Sequence, residues 1–401
     1  MTTLELVSTN RTRLYVTIGY CAAFIALGLA TAALGPTLAD LASNTQATLS
    51  QISYGFTATA LGYLLGSFLG GRLYDRRPGN PVMGVMLLLI ALSMALIPLI
   101  RVLWLLIGLL LLLGMFEGAL DVGGNTLLVW LHGEKVGPYM NALHFFFGVG
   151  AFLSPVVVAR TLAASGGITW AYWTLALLIV PVAVAMLRLS SPSSPADALA
   201  TPGGSPAVAP RRTSALLVTL IAVFFFLYVG SETSFGGWIA TYARASGLGD
   251  ATTAAYLTSV FWGALTLGRL LSIPLAARLR PRTLLLGDLL GCLLSVLVVI
   301  AWPGAPAALW IGTFGAGFSM ASIFPTMISF AGRHMKTTGK TTAWFFVGGS
   351  SGGMLIPWLI GQWFESTGPQ VTVFMVLASL ILNLAMFGVI IRFVRKPVTT
   401  A

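Results

Sequence analysis

Long apolar runs separated by short polar or Gly/Pro-rich breaks dominate this chain, and residues 105–113 contain no polar side chain at all. A helix crosses a hydrocarbon core of roughly 30 Å with about 20 apolar residues. The runs between breaks predict spans near 14–36, 54–71, 82–100, 103–130, 139–163 and 169–188. A second set follows near 214–239, 254–275, 284–302, 307–331, 341–363 and 371–393. The first run is too long for a cleaved leader and lacks a small-residue cleavage site, so it reads as a span. The expected fold class is an all-α membrane protein, with twelve transmembrane helices in two pseudo-symmetric six-helix bundles.

The only long polar connector is 189–212, where Ser191-Pro192-Ser193-Ser194-Pro195 and Gly203-Gly204 have the composition of a flexible linker. It separates an N-terminal bundle, 1–188, from a C-terminal bundle, 213–401. The halves share a spacing. A shift of 201 places Gly35 on Gly236 and Gly62 on Gly263, and a shift of 202 places Gly66 on Gly268, Gly150 on Gly352 and Pro155 on Pro357. Repeated halves around a central solute path are the architecture of alternating-access transporters.

Composition sharpens this picture. The chain is 57% hydrophobic and 8% charged, against about 45–50% and 25% in soluble domains. Its net charge of +11 invites a nucleic-acid partner, but the distribution of that charge excludes one. With both termini inside, the cytoplasmic segments hold all the Lys and Arg except Arg101, Arg160 and Arg244 outside and Arg269 within a span, which leaves 18 of 22. That bias is the positive-inside signature. It predicts a multi-pass protein of the cell inner membrane with cytoplasmic termini, and the basic balance is a topology signal. Cys21 and Cys292 sit inside apolar runs and read as small buried hydrophobes rather than a disulfide.

Ionisable groups inside a bilayer are costly, so each one is a functional candidate. Span 4 carries Glu117, Asp121 and Asn125 at one-turn spacing, a stripe expected to face a central cavity. A desolvated carboxylate there suits binding of a proton or Na⁺, with a structural hydrogen bond as the plain alternative. In span 7, Gly230-Ser231-Glu232-Thr233-Ser234-Phe235-Gly236-Gly237-Trp238 places an acid between glycines. That pattern predicts a broken helix whose Glu232 and freed carbonyls bind a cation or sugar hydroxyls. Trp238 offers either a stacking face for a pyranose ring or an interfacial anchor. Asn141 and His144 open span 5 as further solute-binding candidates. Arg269 and Asp288 lie near the cytoplasmic ends of spans 8 and 9 and are expected to neutralise each other. No His-Glu-x-x-His run is present and the chain has only three histidines, which argues against an enzyme.

The loop after span 2, Gly71-Arg72-Leu73-Tyr74-Asp75-Arg76-Arg77-Pro78-Gly79, resembles the signature between helices 2 and 3 of the major facilitator superfamily. The resemblance implies that Gly71 permits close helix packing. It implies that Asp75, with Arg76, acts as a cytoplasmic gating latch near Thr341 at the start of span 11. The matching place in the second half has Ala277-Arg278 and no acid. Asp121-Val122-Gly123-Gly124-Asn125 is similar to the helix 4 motif of the fucose permease family. Gly137-Pro138-Tyr139-Met140-Asn141-Ala142-Leu143-His144 and Tyr228-Val229-Gly230-Ser231-Glu232 are closer to its sodium-dependent glucose transporter-like branch. This resemblance implies that Asp121 carries coupling and Asn125 binds sugar, although residues 14–36 lack the acid that fucose permease has in helix 1. The expected function is cation-coupled (H⁺ or Na⁺) uptake of a monosaccharide or similar polar solute by alternating access. The alternative is a proton-coupled exporter of drugs or amphiphiles. A small solute and the bilayer are the expected partners, with a monomer as the default state and no cofactor beyond the coupling ion.

Overall fold

The structure, a computed structural model, describes residues 3–192, 215–335 and 339–395. Residues 193–214, with most of the expected linker and Arg211 and Arg212, lie outside them, as do Lys336 and Lys396. Among the described residues, twelve helices are long and apolar enough to cross a membrane, and there is no strand. They are α1 (Arg11–Thr31), α2 (Leu49–Tyr74), α3 (Gly79–Leu99), α4 (Leu103–His132), α5 (Gly137–Ser165) and α6 (Thr169–Arg188). The second set is α7 (Ala215–Ala245), α8 (Ala251–Arg278), α9 (Pro281–Ala301), α10 (Pro306–His334), α11 (Thr341–Thr367) and α12 (Val371–Val394). Each expected span is met by one of them.

Local chemistry sets many of the helix ends. Thr48 and Gln51 form a reciprocal capping box at the start of α2, with Gln51 N–H donating to Thr48 Oγ1 at 3.1 Å. The Asp250 carboxylate accepts the Thr253 N–H at 2.8 Å to open α8, and that backbone bond holds its pKa below the usual carboxylate value. Gly166 ends α5 at φ +70°, a conformation that costs glycine little.

Two of the helix interruptions stand four residues before a proline. Pro36 follows the turn at Ala32–Ala33, which separates α1 from the helix Leu34–Asn44. Pro325 follows the turn at Ala321–Ser322, which divides α10 into Pro306–Met320 and Ile323–His334. A proline ring clashes with the carbonyl four residues earlier and supplies no N–H to it. Pro155, Pro181, Pro274 and Pro357 nevertheless sit inside continuous helices. What distinguishes the α10 break is that side chains of neighbouring helices satisfy its polar groups, as described below. By contrast, α7 runs unbroken through Gly230, Gly236 and Gly237, so the expected break at Glu232 does not occur. Those glycines are used for packing: a Cβ at Gly230 would meet the Gly352 carbonyl at 3.0 Å, and one at Gly236 would meet the Phe261 ring at 2.9 Å.

The chain divides into two compact units, Met1–Gln46 with Leu61–Pro206, and Ala47–Ala60 with Ala207–Ala401. In the first, α1 packs on α5 and α3 on α6; in the second, α7 packs on α11 and α9 on α10. The beginning of α2 groups with the second unit, where Ser50 Oγ donates to Gln362 Oε1 at 2.8 Å and Glu365 accepts the Leu49 N–H at 2.8 Å. The repeat reappears as geometry inside each unit. A Cβ at Gly150 would lie 3.0 Å from Ile25 Cα, and one at Gly352 would lie 2.9 Å from Phe226 Cα. Ile25 and Phe226 are 201 positions apart. The same backbone-to-backbone contact thus joins α1 to α5 and α7 to α11, as expected where helix association depends on close packing rather than on expelling water. Outward-facing residues such as Leu177, 70% exposed, and Leu294, 64% exposed, make a surface suited to lipid and not to water. Cys21 and Cys292 are both buried free thiols.

Candidate solute and coupling site

In the first unit the polar stripe of α4 is assembled with side chains from α1 and α2. Asn125 Nδ2 donates to the Asp121 backbone carbonyl at 2.9 Å and to Asp121 Oδ1 at 3.2 Å. The Tyr63 side chain, from α2, hydrogen-bonds Asp121 as well. Asp121 thus meets two groups able to donate, while its side chain is only partly buried. One turn earlier Glu117 is sealed, 1% exposed, with Oε1 lacking any hydrogen-bond partner and Thr31 as its side-chain neighbour. The α4 glycines admit neighbours rather than leaving open space. Gly118 lies against the Tyr63 carbonyl, Gly123 against the Tyr74 ring and Gly124 against Phe24. Phe24 also meets His144 edge-on at 5.8 Å, which brings His144 beside the stripe. Asn141 is exposed at the start of α5.

Of the gating candidates Gly71, Asp75 and Arg76, Gly71 falls differently from expectation. Asp75 and Arg76 are exposed at the end of α2. Gly71 has room for a Cβ, with Val122 Cγ1 4.0 Å away, and the close approach falls one residue earlier, where a Cβ on Gly70 would meet Ala119 Cα at 2.8 Å. A one-residue step along a helix turns the side chain by about 100°, from the α4 face to another.

The second unit holds its own polar cluster. The Tyr228 hydroxyl bonds Glu232 one turn along α7 and donates to the Met320 carbonyl at 2.9 Å. Met320 is the last residue before the α10 break, so its carbonyl lacks the usual helical partner, and Tyr228 provides one. Just past the break, Ser322 Oγ donates to Asp288 of α9. Arg269 acts electrostatically on Glu232 and Tyr228. The expected Arg269–Asp288 pair is therefore replaced by two separate arrangements, Arg269 with Glu232 and Asp288 with Ser322. The break in α10 supplies the hydroxyl that takes Asp288. Single changes of Arg269 or Glu232 to Ala should each lower the melting temperature. The double change should recover part of the loss, with a coupling on the order of 1 kcal/mol. Additive losses here, with coupling to Asp288 instead, would restore the original pairing.

Trp238 needs a correction as well. Its ring is fully buried, 5.2 Å from Phe364 and 5.8 Å from Phe56, and its indole N–H donates to the Pro357 carbonyl at 3.0 Å. The aromatic faces are occupied by protein, so neither a sugar nor the membrane interface reaches them here. Trp238→Phe should lower stability by about 1 kcal/mol through the lost hydrogen bond and leave solute affinity unchanged. A large loss of affinity at unchanged melting temperature would return Trp238 to the solute site.

The Tyr63, Tyr228, Thr31 and Ser322 partners were not singled out from sequence. Tyr228 had a readable signal, standing one turn before Glu232 on a helical face. Pro325 marked the break that presents Ser322.

The Major Facilitator Superfamily profile matches residues 20–357. The chain belongs to the major facilitator superfamily. Among its relatives, this facilitator is 32% identical to human sodium-dependent glucose transporter 1 over 85% of its own length and 72% of that protein. It is 34% identical to the Danio rerio protein of the same name, over 87% of this chain and 64% of that one. Human major facilitator superfamily domain-containing protein 4A is 27% identical over 89% and 88%. The fold matches a crystal structure of the nucleoside transporter NupG with a TM-score of 0.73, at 14% identity, over 94% of this chain and 99% of that chain. The sodium-dependent glucose transporter-like branch expected from the helix 4, 5 and 7 motifs is therefore the branch to which the relatives point, and the chain is a multi-pass membrane transporter of the facilitator fold.

Proposed function

We propose that this facilitator takes up a monosaccharide or closely related neutral polyol by alternating access, driven by inward flow of H⁺ or Na⁺. The observation that carries this reading is the Asp121–Asn125–Tyr63 cluster: a partly exposed aspartate whose carboxylate is held by two donors inside a membrane span. Carboxylates inside a bilayer are retained where they do work, and an adjacent amide and phenol offer the donor and acceptor chemistry that sugar hydroxyls require. The names of the relatives support both a sugar and a cation. The reading places the protein in the inner membrane with its basic segments and both termini in the cytoplasm. Asp75 and Arg76, exposed at the end of α2, serve in it as gating residues on that side.

Counterflow in proteoliposomes tests the solute class. Vesicles loaded with unlabelled glucose should accumulate labelled glucose transiently, with no overshoot for protein-free vesicles. Overshoot with uridine or an amphiphilic dye and none with any neutral hexose would reject the sugar. Imposing an H⁺ or a Na⁺ gradient singly identifies the coupling ion, and accumulation indifferent to both would reject coupling.

A further inference from the structure

At the basic end of the second unit, three helices enclose a cavity of about 310 Å³. Arg280 and Arg282 enter it from the start of α9, and Arg333 and His334 from the end of α10. Phe330 and Ile391 form an apolar wall on the α10 and α12 sides. The His334 ring is held in place, with Nδ1 in a 2.8 Å hydrogen bond to the Phe330 carbonyl and its ring 4.3 Å from that of Phe330. Three arginines line the cavity, and among the described residues its lining includes no acid. No Asp or Glu occurs anywhere between Asp288 and Glu365, nor after Glu365, and Asp288 is engaged by Ser322.

We propose that this cavity binds the headgroup of an anionic phospholipid. A solvated positive-inside face would need neither a cavity nor an apolar wall, and its arginines would spread apart to reduce repulsion. Convergence of like charges on one hollow is stabilised when an anion occupies it. Guanidinium groups recognise phosphate oxygens through paired N–H donors. The apolar wall selects between sources of that phosphate. Phe330 and Ile391 lie at the ends of spanning helices, at the depth where a headgroup passes into acyl chain, and they match a glycerol backbone and the first methylenes but not a free ion. Basic pockets between spanning helices are known settings for acidic lipid headgroups. The site is independent of the solute and coupling reading, since none of its residues belongs to the α4 or α7 clusters.

Native mass spectrometry of the purified protein, titrated with phosphatidylglycerol, phosphatidylcholine or inorganic phosphate, tests the proposal. Phosphatidylglycerol should be retained as a discrete adduct and raise the melting temperature, and phosphatidylcholine at equal concentration should do neither. Changing Arg280, Arg282 and Arg333 together to Gln should weaken phosphatidylglycerol binding by roughly a hundredfold. Because these side chains are exposed, the triple variant should fold, and the corresponding triple change to Lys should regain part of the affinity. Arg160→Gln, at an exposed position of the other unit, should leave binding unchanged. Equal retention of phosphatidylcholine, or equal phosphatidylglycerol binding by the triple Gln variant, would overturn the proposal. Displacement of the lipid by millimolar inorganic phosphate, with the same stabilisation, would make this a soluble-anion site and reject the lipid.

Discussion

Asp121→Asn is expected to abolish gradient-driven accumulation while leaving solute exchange partly intact. Asparagine keeps the size of the side chain and one acceptor, so the bond from Asn125, at 3.2 Å in the wild type, has a substitute. It cannot carry the ionic charge that coupling requires. Glu117, one turn away, is the natural rival. Its burial decides against it: a coupling group must exchange its ion with water, and Glu117 is 1% exposed while Asp121 is partly open. Glu117→Gln should therefore retain accumulation within a few-fold. Both variants are measured in proteoliposomes under imposed H⁺ and Na⁺ gradients, with counterflow as the exchange readout. Undiminished accumulation by Asp121→Asn would remove that residue from the mechanism and leave Glu117 and Glu232 to be tested.

Gly352→Leu should give the largest loss of stability of any single change considered. Its Cβ would enter the space of the Phe226 backbone, with Phe226 Cα only 2.9 Å away. Backbone cannot rotate aside as a side chain can, so α7 and α11 must separate along their contact. Overpacking of this kind costs about 3 kcal/mol or more, and in a bilayer no hydrophobic force pulls the separated helices back together. Gly388→Leu is the matched control, since nothing lies within 4 Å of a Cβ at that position. Thermal melting of the two purified variants decides the matter. Similar melting temperatures would mean that α7 and α11 do not approach as described. Gly150→Leu, at the repeat-equivalent contact with Ile25, should show a comparable loss, because the same geometry recurs there.

The number of spans, their order and the internal repeat were all written in the linear chain, because a bilayer imposes length and apolarity on each span separately. The α4 stripe was legible for a related reason. Residues four apart share a helix face whatever the helix packs against, so Glu117, Asp121 and Asn125 had to lie together. The branch was readable from local motifs, and the relatives agree with it. Partners between helices were not readable. Whether Arg269 meets Asp288 or Glu232 depends on how α7, α8 and α9 are rotated about their axes. The α10 break, which turns Ser322 to Asp288 and leaves the Met320 carbonyl for Tyr228, settles the rest. The glycines of α7 show the same limit. In sequence they suggest unwinding, yet in the folded unit they admit Ile356 and Phe261, and the helix stays whole. Trp238 could have faced a sugar, a lipid headgroup or the core, since an indole suits all three. Only the positions of Phe56, Phe364 and the Pro357 carbonyl, brought together by packing across the second unit, assign it to the core.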